Sequence, residues 1–195
     1  MLNSEILDTF LHLLDEAKAS GDREPTAMNL ATVDASGRVA SRIVLLKGAD
    51  ERGFRFFTNY ESDKGVQLDA HPQVALNFHW KHLRQGVQVR VEGAARKLLA
   101  QESDAYFASR ARGSQIGAWA SLQSSAMASP GDLDQRVRET ERRFEGQSVP
   151  RPPHWSGFRV VPERIEFWRN MPSRLHVRHL YTRDNGGWRI EQLYP

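Results

Sequence analysis

The chain has 195 residues, 39% apolar and 26% charged, with a net charge of +3, the balance expected of one soluble globular domain. It has no cysteine, which excludes disulfides, thiolate metal sites and thiol nucleophiles. Its seven histidines show no H-x-x-x-H or H-x-H pairing, so no protein-bound metal is expected.

The first segment, MLNSEILDTFLHLLDEAKASG, is amphipathic. Ile6, Phe10, Leu13, Leu14 and Ala17 recur at helical spacing and Gly21 supplies a stop, which predicts a helix over about 4–20. It lacks the basic start of a signal peptide, and no run of about 18 apolar residues follows anywhere; a cytoplasmic protein without a membrane segment is expected. The period then changes. AMNLATVDASGRVASRIVLL reads as two strands around the turn Asp34-Ala-Ser-Gly37, and a third strand follows at 53–59. Ser62 is placed to cap a short helix that ends before His71-Pro72.

Alternation is clearest next. Val74, Leu76, Phe78 and Trp80 share one strand face, and Val87, Val89 and Val91 share another. Residues 101–109 and 131–146 read as helices, separated by the Ser- and Ala-rich SQIGAWASLQSSAMASPGD. After the Pro-rich VPRPPHW, strands are expected at 156–168, 174–183 and 187–193, with Asn185-Gly-Gly187 as a hairpin signal. No G-x-G-x-x-G or Walker A sequence occurs. The expected fold is mainly β: one closed antiparallel barrel with peripheral α-helices, a single domain over residues 1–195.

Four clusters carry chemistry. Arg42-Ile-Val-Leu-Leu-Lys47 is a strand with cationic ends. Phe57-Thr58-Asn59 precedes Ser62-Asp-Lys64-Gly65, a helix start whose N–H groups and lysine suit an anion. Tyr106 and Arg110, with Ser114 beyond, join a phenol, a guanidinium and a hydroxyl. Arg174, His176 and Arg178 alternate along one predicted strand. Each of the first three is also compatible with an ordinary strand end, helix cap or surface pair. The fourth is harder to reduce to structure, because same-face cations repel unless an anion opposes them. Arginines at 84, 90, 96, 110 and 112 favour phosphate or carboxylate recognition, but no helix-turn-helix or RNP-like motif accompanies them, so nucleic acid is not expected.

EPTAMNLATV, SRIVLLK, FFTN, QVRVEG, YFASR, SQIGAW, QSS, GFRV, IEFW and RLH-x-R stand in the order of the pyridoxamine/pyridoxine 5′-phosphate oxidase family, which the chain resembles over residues 25–195. The resemblance implies an FMN-binding split barrel and a homodimer with FMN at the subunit interface. It implies oxidation of pyridoxamine 5′-phosphate and/or pyridoxine 5′-phosphate to pyridoxal 5′-phosphate, with oxygen as acceptor and peroxide released. By the same resemblance FMN would meet Arg42, Ile43, Val44, Leu45, Leu46 and Lys47, then Phe57, Thr58, Lys64, Gln88, Gln123, Ser124, Trp168 and Arg178. Substrate would meet Lys47, Tyr106, Arg110, Ser114, Arg174, Leu175 and His176, with Arg174 and His176 beside the reacting carbon. A related flavin oxidase acting on another ring, such as a phenazine precursor, and a low-activity FMN- or pyridoxal-phosphate-binding protein are the alternatives.

Three residues depart from the family pattern. Asp63 stands where a basic residue is usual, Val87 replaces the arginine before Gln88, and Val177 replaces the aspartate of RLHDR. The connection 81–86 is about two residues longer, and the N-terminal stretch lacks the family's Arg- and Tyr-bearing segment. Weaker FMN binding and altered turnover are the expectation.

Overall fold

The computed structural model describes residues 1–195. Helix α1 (Ser4–Ala19) is capped by the Asn3 side chain and stops at Ser20 and Gly21. Nine antiparallel strands follow: β1 (Ala27–Val33), β2 (Val39–Leu45), β3 (Gly48–Asp50), β4 (Gly53–Asn59), β5 (Gln73–Trp80), β6 (Val87–Lys97), β7 (Trp155–Arg169), β8 (Val177–Asp184) and β9 (Gly187–Leu193). Helices α2 (Asp63–Ala70), α3 (Ala100–Ala108), α4 (Arg112–Ala120) and α5 (Asp132–Arg143) lie between them.

The sheet runs β2-β1-β5-β6-β7-β4-β3, and β8 and β9 extend it from β7. Strand β7 is long enough to serve two neighbours on one side. Its first part, 155–160, pairs with β4, and its last part, 164–169, pairs with β8. The barrel closes through the chain itself. Leu46 N–H donates to Thr26 O (2.8 Å), and the next N–H, of Lys47, donates to Arg55 O (2.8 Å), so one short segment joins the two edges of the sheet.

Alternation decides what lies inside. Val74, Leu76, Phe78 and Trp80 meet Val87, Val89 and Val91 in the core, as the sequence predicts. Helix α1 plugs one end of the barrel: Phe10, fully buried, packs edge-on against Phe54 and Phe78. Truncating such a ring costs about 3–5 kcal/mol.

A smaller core of Phe107, Ile116, Phe144, Val149 and Trp155 holds α3, α4 and α5 against the barrel. Arg159, only 7% exposed, secures that contact by pairing with Asp50 of β3 (2.5 Å) and Glu102 of α3 (2.9 Å). The buried hydroxyls of Ser103 and Ser156 share a 2.6 Å hydrogen bond beside it.

The structure departs from the sequence expectations in four places. Strand β3 has three residues, too short to show a period. Helix α4 occupies the start of the Ser- and Ala-rich stretch, where Ile116 and Ala120, four apart, are its buried residues. Arg42 sits in the middle of β2 and Lys47 lies beyond it, so they are not the two ends of one strand. Strand β8 begins at Val177, because Ser173 and Arg174 turn back with φ of +55° and +60°. The shared strand face expected for Arg174, His176 and Arg178 is therefore absent; Arg174 lies in a short 3-10 turn, Pro172–Arg174.

Gly157 is required by a close approach. A methyl group there would sit 2.8 Å from the Phe57 ring and 2.6 Å from Leu98. Gly157→Ala is expected to destabilise the fold by roughly 1–3 kcal/mol through overpacking, measured by urea unfolding. The stabilisation that alanine otherwise brings to a strand would contradict this.

Candidate active site

The sequence-predicted residues fall into two groups at different places on the barrel. The first surrounds the seam between β2 and β4. Arg42, half-buried, donates from Nη1 to Thr32 Oγ1 (2.5 Å) and Leu30 O (3.2 Å), and from Nη2 to Gln67 Oε1 (2.9 Å). Lys64 donates to Gln123 Oε1 (2.9 Å) and Ser62 Oγ (3.2 Å). Thr58 donates to the same Gln123 oxygen at 3.2 Å. Ser62 caps α2 as predicted, its hydroxyl accepting from Gly65 N–H.

Neither cation has a carboxylate within salt-bridge distance. Burial lowers the pKa of Arg42, with a small opposing effect of Asp63. Burial also lowers that of Lys64, the Arg42 charge lowers it further, and Asp63 partly offsets both. Two partly desolvated cations that repel one another are what a phosphate dianion at the first turn of a helix would relieve. The residues present thus fit the phosphate of FMN. Asp63 is exposed and acts on both cations by favouring their charged forms.

Next to this cradle the rings of Phe57, Tyr106 and Trp155 lie nearly parallel. Phe57 is 4.0 Å from Tyr106 and 5.4 Å from Trp155, with interplanar angles of 20° and 8°. The Arg110 guanidinium stacks 4.6 Å above the Trp155 ring, a favourable cation–π placement. Its Nη1 is buried without any hydrogen-bond partner, and burial lowers its pKa. Ser114 is exposed in the first turn of α4, and Lys47 is exposed at the barrel seam. Of the strand 42–47, Ile43 is 62% exposed, Val44 and Leu45 are half-buried, and Leu46 is a core residue. Gln123 and Ser124 are exposed, and Ser124 takes a φ of +75°.

The second group lies where β6, β7 and β8 meet. Trp168 pairs in register with Gln88 on one side and Arg178 on the other. His176 packs against the Trp168 ring, centroids 4.5 Å apart, and its Nδ1 accepts from Met171 N–H at 3.3 Å. Hydrogen therefore belongs on Nε2 of the neutral ring, leaving a donor free. Arg178 is held by Glu166 (Nε to Oε1, 2.7 Å) and by Tyr194 O (3.0 Å). Glu166 is 5% exposed and also faces Arg90 at 3.3 Å. Arg174 and Leu175 are exposed on the turn before β8.

Sequence reasoning missed Gln67, Trp155 and Glu166. Gln67 stands one helical turn after Lys64, and Glu166 shares a strand face with Trp168; both spacings were readable. Trp155 closes the Pro-rich stretch, and nothing in its local pattern marked it.

A strand-rich barrel with an anion cradle at its seam and a Trp/Arg pair on its extension defines the class of FMN-binding split-barrel proteins. The chain matches the family profile described as pyridoxamine 5′-phosphate oxidase over residues 14–169, and that of the pyridoxine 5′-phosphate oxidase C-terminal dimerisation region over 155–195. It is 54% identical over 195 residues to the pyridoxine/pyridoxamine 5′-phosphate oxidase of Myxococcus xanthus, covering 100% of this chain and 94% of that protein. It is 56% identical over 183 residues to the enzyme of the same name from Burkholderia cenocepacia, covering 92% and 84%. PhzG from Burkholderia lata, solved in complex with tetrahydrophenazine-1-carboxylic acid, superposes with a TM-score of 0.92 at 31% identity, covering 99% and 94%. An FMN-binding protein of Nostoc punctiforme shares the fold (TM-score 0.79, 18% identity, both chains covered in full). The chain belongs to the pyridoxamine 5′-phosphate oxidase family.

Because the free protein holds Lys64 below its usual pKa, phosphate binding at alkaline pH requires uptake of a proton. FMN affinity is expected to fall as pH rises, beginning below the ordinary lysine value of about 10.4. In Lys64→Arg the fall should vanish from that range. Flavin fluorescence titrations across pH check this; a flat parental profile would contradict it.

Proposed function

We propose that this chain is an FMN-dependent pyridoxine/pyridoxamine 5′-phosphate oxidase acting as a homodimer, with two sites each built from both subunits. The observation that carries the substrate reading is Arg110. A guanidinium stacked on Trp155, with a buried and unpartnered Nη1, lacks an acceptor that a substrate phosphate would supply. Tyr106, stacked on Phe57 beside Trp155, adds a phenol next to it, and by the family resemblance Ser114 and Lys47 would add further donors. Two cation sets suit two phosphates, one on the cofactor and one on the substrate.

Bound FMN supplies the two-electron acceptor for the oxidation. The chain's own residues bind and orient. Phe57 and Thr58 lie between the two phosphate sets, and Gln123 ties Thr58 to Lys64. His176 offers its Nε2–H as a donor, and Arg174 offers a cation from a turn of fixed, strained backbone. Neither acts as a nucleophile; together they hold the substrate's polar groups while its carbon is oxidised.

The two groups cannot serve one flavin within one chain. Phe57 and Arg178 pair with positions 157 and 168 of β7, roughly 35 Å of extended chain apart. A second copy related by a twofold axis supplies the missing group to each site. The match of 155–195 to a dimerisation region, which contains Trp168 and Arg178, supports this.

Two experiments test the proposal. Flavin-loaded protein is expected to release peroxide with the phosphorylated amine or alcohol, and Arg110→Ala to lose about 10–100-fold in kcat/KM, the contribution of a charge-assisted hydrogen bond. Flavin uptake with no peroxide from either substrate would leave a binding protein, and turnover of a phenazine precursor alone would move the reading to the PhzG-like reaction. The second mixes two inactive variants, Arg42→Ala and Arg178→Ala, after dissociation. Hybrid dimers hold one intact site, so about a quarter of parental activity should return; none would return if each site came from one chain.

A further inference from the structure

We propose that Gln67 is a positioning residue for the cofactor phosphate, whose neutral amide oxygen fixes the Arg42 guanidinium without neutralising it. The inference rests on the reading of Arg42 and Lys64 as the FMN phosphate cations.

Gln67 lies on α2, one turn beyond Lys64. Its Oε1 accepts from Arg42 Nη2 at 2.9 Å and from Thr32 Oγ1 at 2.6 Å. Thr32, 1% exposed, in turn accepts from Arg42 Nη1 at 2.5 Å. The three side chains form a closed ring: Arg42 Nη1 to Thr32 Oγ1, Thr32 to Gln67 Oε1, and Arg42 Nη2 back to the same oxygen. The Arg42 guanidinium can only donate, so the amide has one orientation here; a flip would set its NH2 against Arg42 Nη2. The ring joins α2 to β1 and β2, and so sets the guanidinium relative to the N-terminus of α2.

The acceptor is an amide where a carboxylate would bind the guanidinium more strongly. The fold's structural arginines show the alternative: Arg159 takes Asp50 and Glu102, Arg151 takes Asp104 and Arg164 takes Glu92. At the cradle, Lys64 repeats the amide pattern with Gln123. Both cations are held in place and both keep their charge for an incoming anion. A glutamate at position 67 has the shape and acceptors of glutamine and would preserve the ring, but it would put a full negative charge at hydrogen-bond distance from Arg42.

The test titrates apo-protein with FMN and with riboflavin, which lacks the phosphate, following the quenching of flavin fluorescence. Parent, Gln67→Glu and Gln67→Met are compared, with thermal unfolding as the check on folding. Gln67→Glu is expected to weaken FMN binding about tenfold or more, comparable to losing one charge-assisted contact, and to leave riboflavin binding unchanged. Gln67→Met, which removes the acceptor and adds no charge, is expected to weaken FMN about threefold and also to spare riboflavin; it carries the test alone if Gln67→Glu does not fold. FMN affinity within twofold of the parent in both variants, or equal losses for the two flavins, would overturn the proposal. A parent that binds FMN no better than riboflavin would overturn the phosphate reading itself, and the role of Gln67 with it.

Discussion

The placement of this protein's cations governs both its fold and its site. Partly buried positive charge is costly unless something answers it. Where the fold needs a guanidinium for structure, a carboxylate answers it, as at Arg159, which ties β7 to β3 and α3. At the three phosphate-seeking positions, Arg42, Lys64 and Arg110, no carboxylate answers the charge, whereas Arg178 of the second group keeps Glu166. Arg42 and Lys64 rest on amides, hydroxyls and a carbonyl, and Arg110 rests on an indole face with one nitrogen unsatisfied. Those three groups store a preference for anions that the paired arginines have already spent.

Strand β7 carries that distinction into space. Its first residues seat Trp155 under Arg110 and Gly157 under Phe57, so the phosphate-seeking groups gather where β4 and β7 meet. Its last residues present Glu166 and Trp168 to Arg178. One rigid strand therefore holds the two halves of the site apart as firmly as it holds each in place. The twofold assembly proposed above would bring the two halves together, and the match of residues 155–195 to a dimerisation region agrees with it.

How much of this was legible in the sequence depended on whether local pattern or tertiary placement set the feature. Alternation along 74–80 and 87–91, the Ser62 cap and the Asn185-Gly186 hairpin are local, and each appears as expected; Asn185 and Gly186 both take positive φ, as a tight hairpin turn requires. The Arg174-x-His176-x-Arg178 spacing misled because alternation implies a strand only while φ stays extended, and two consecutive positive φ values at 173 and 174 break it. The fold class and the order of motifs were readable from the family resemblance. Gln67 and Glu166 stood at readable spacings from Lys64 and Trp168, but their partners, Arg42 and Arg178, are set by tertiary placement, and no local pattern marked Trp155.

The departures from the family pattern take on a different meaning in three dimensions. Val87 and Val177 are far apart in sequence but flank the same residue: Val87 pairs with Arg169 across β6 and β7, and Arg169 pairs with Val177 across β7 and β8. With Leu13 of α1 and Phe167 they line one cleft of about 260 Å³. The family pattern places an arginine and an aspartate at these two positions, so this chain has lost opposite charges together. In this chain the two valines instead add apolar surface on either side of Arg169. Nor does the loss of the aspartate free Arg178, whose Nε is held from the neighbouring strand by Glu166. Asp63 remains the one departure that touches the site's charge balance directly. It stands exposed at the first turn of α2, where an acid favours the helix dipole and sustains the charge on Arg42 and Lys64. On the proposed reading of Arg42 and Lys64 as the phosphate cations, the same charge would favour the free cradle and oppose an incoming phosphate.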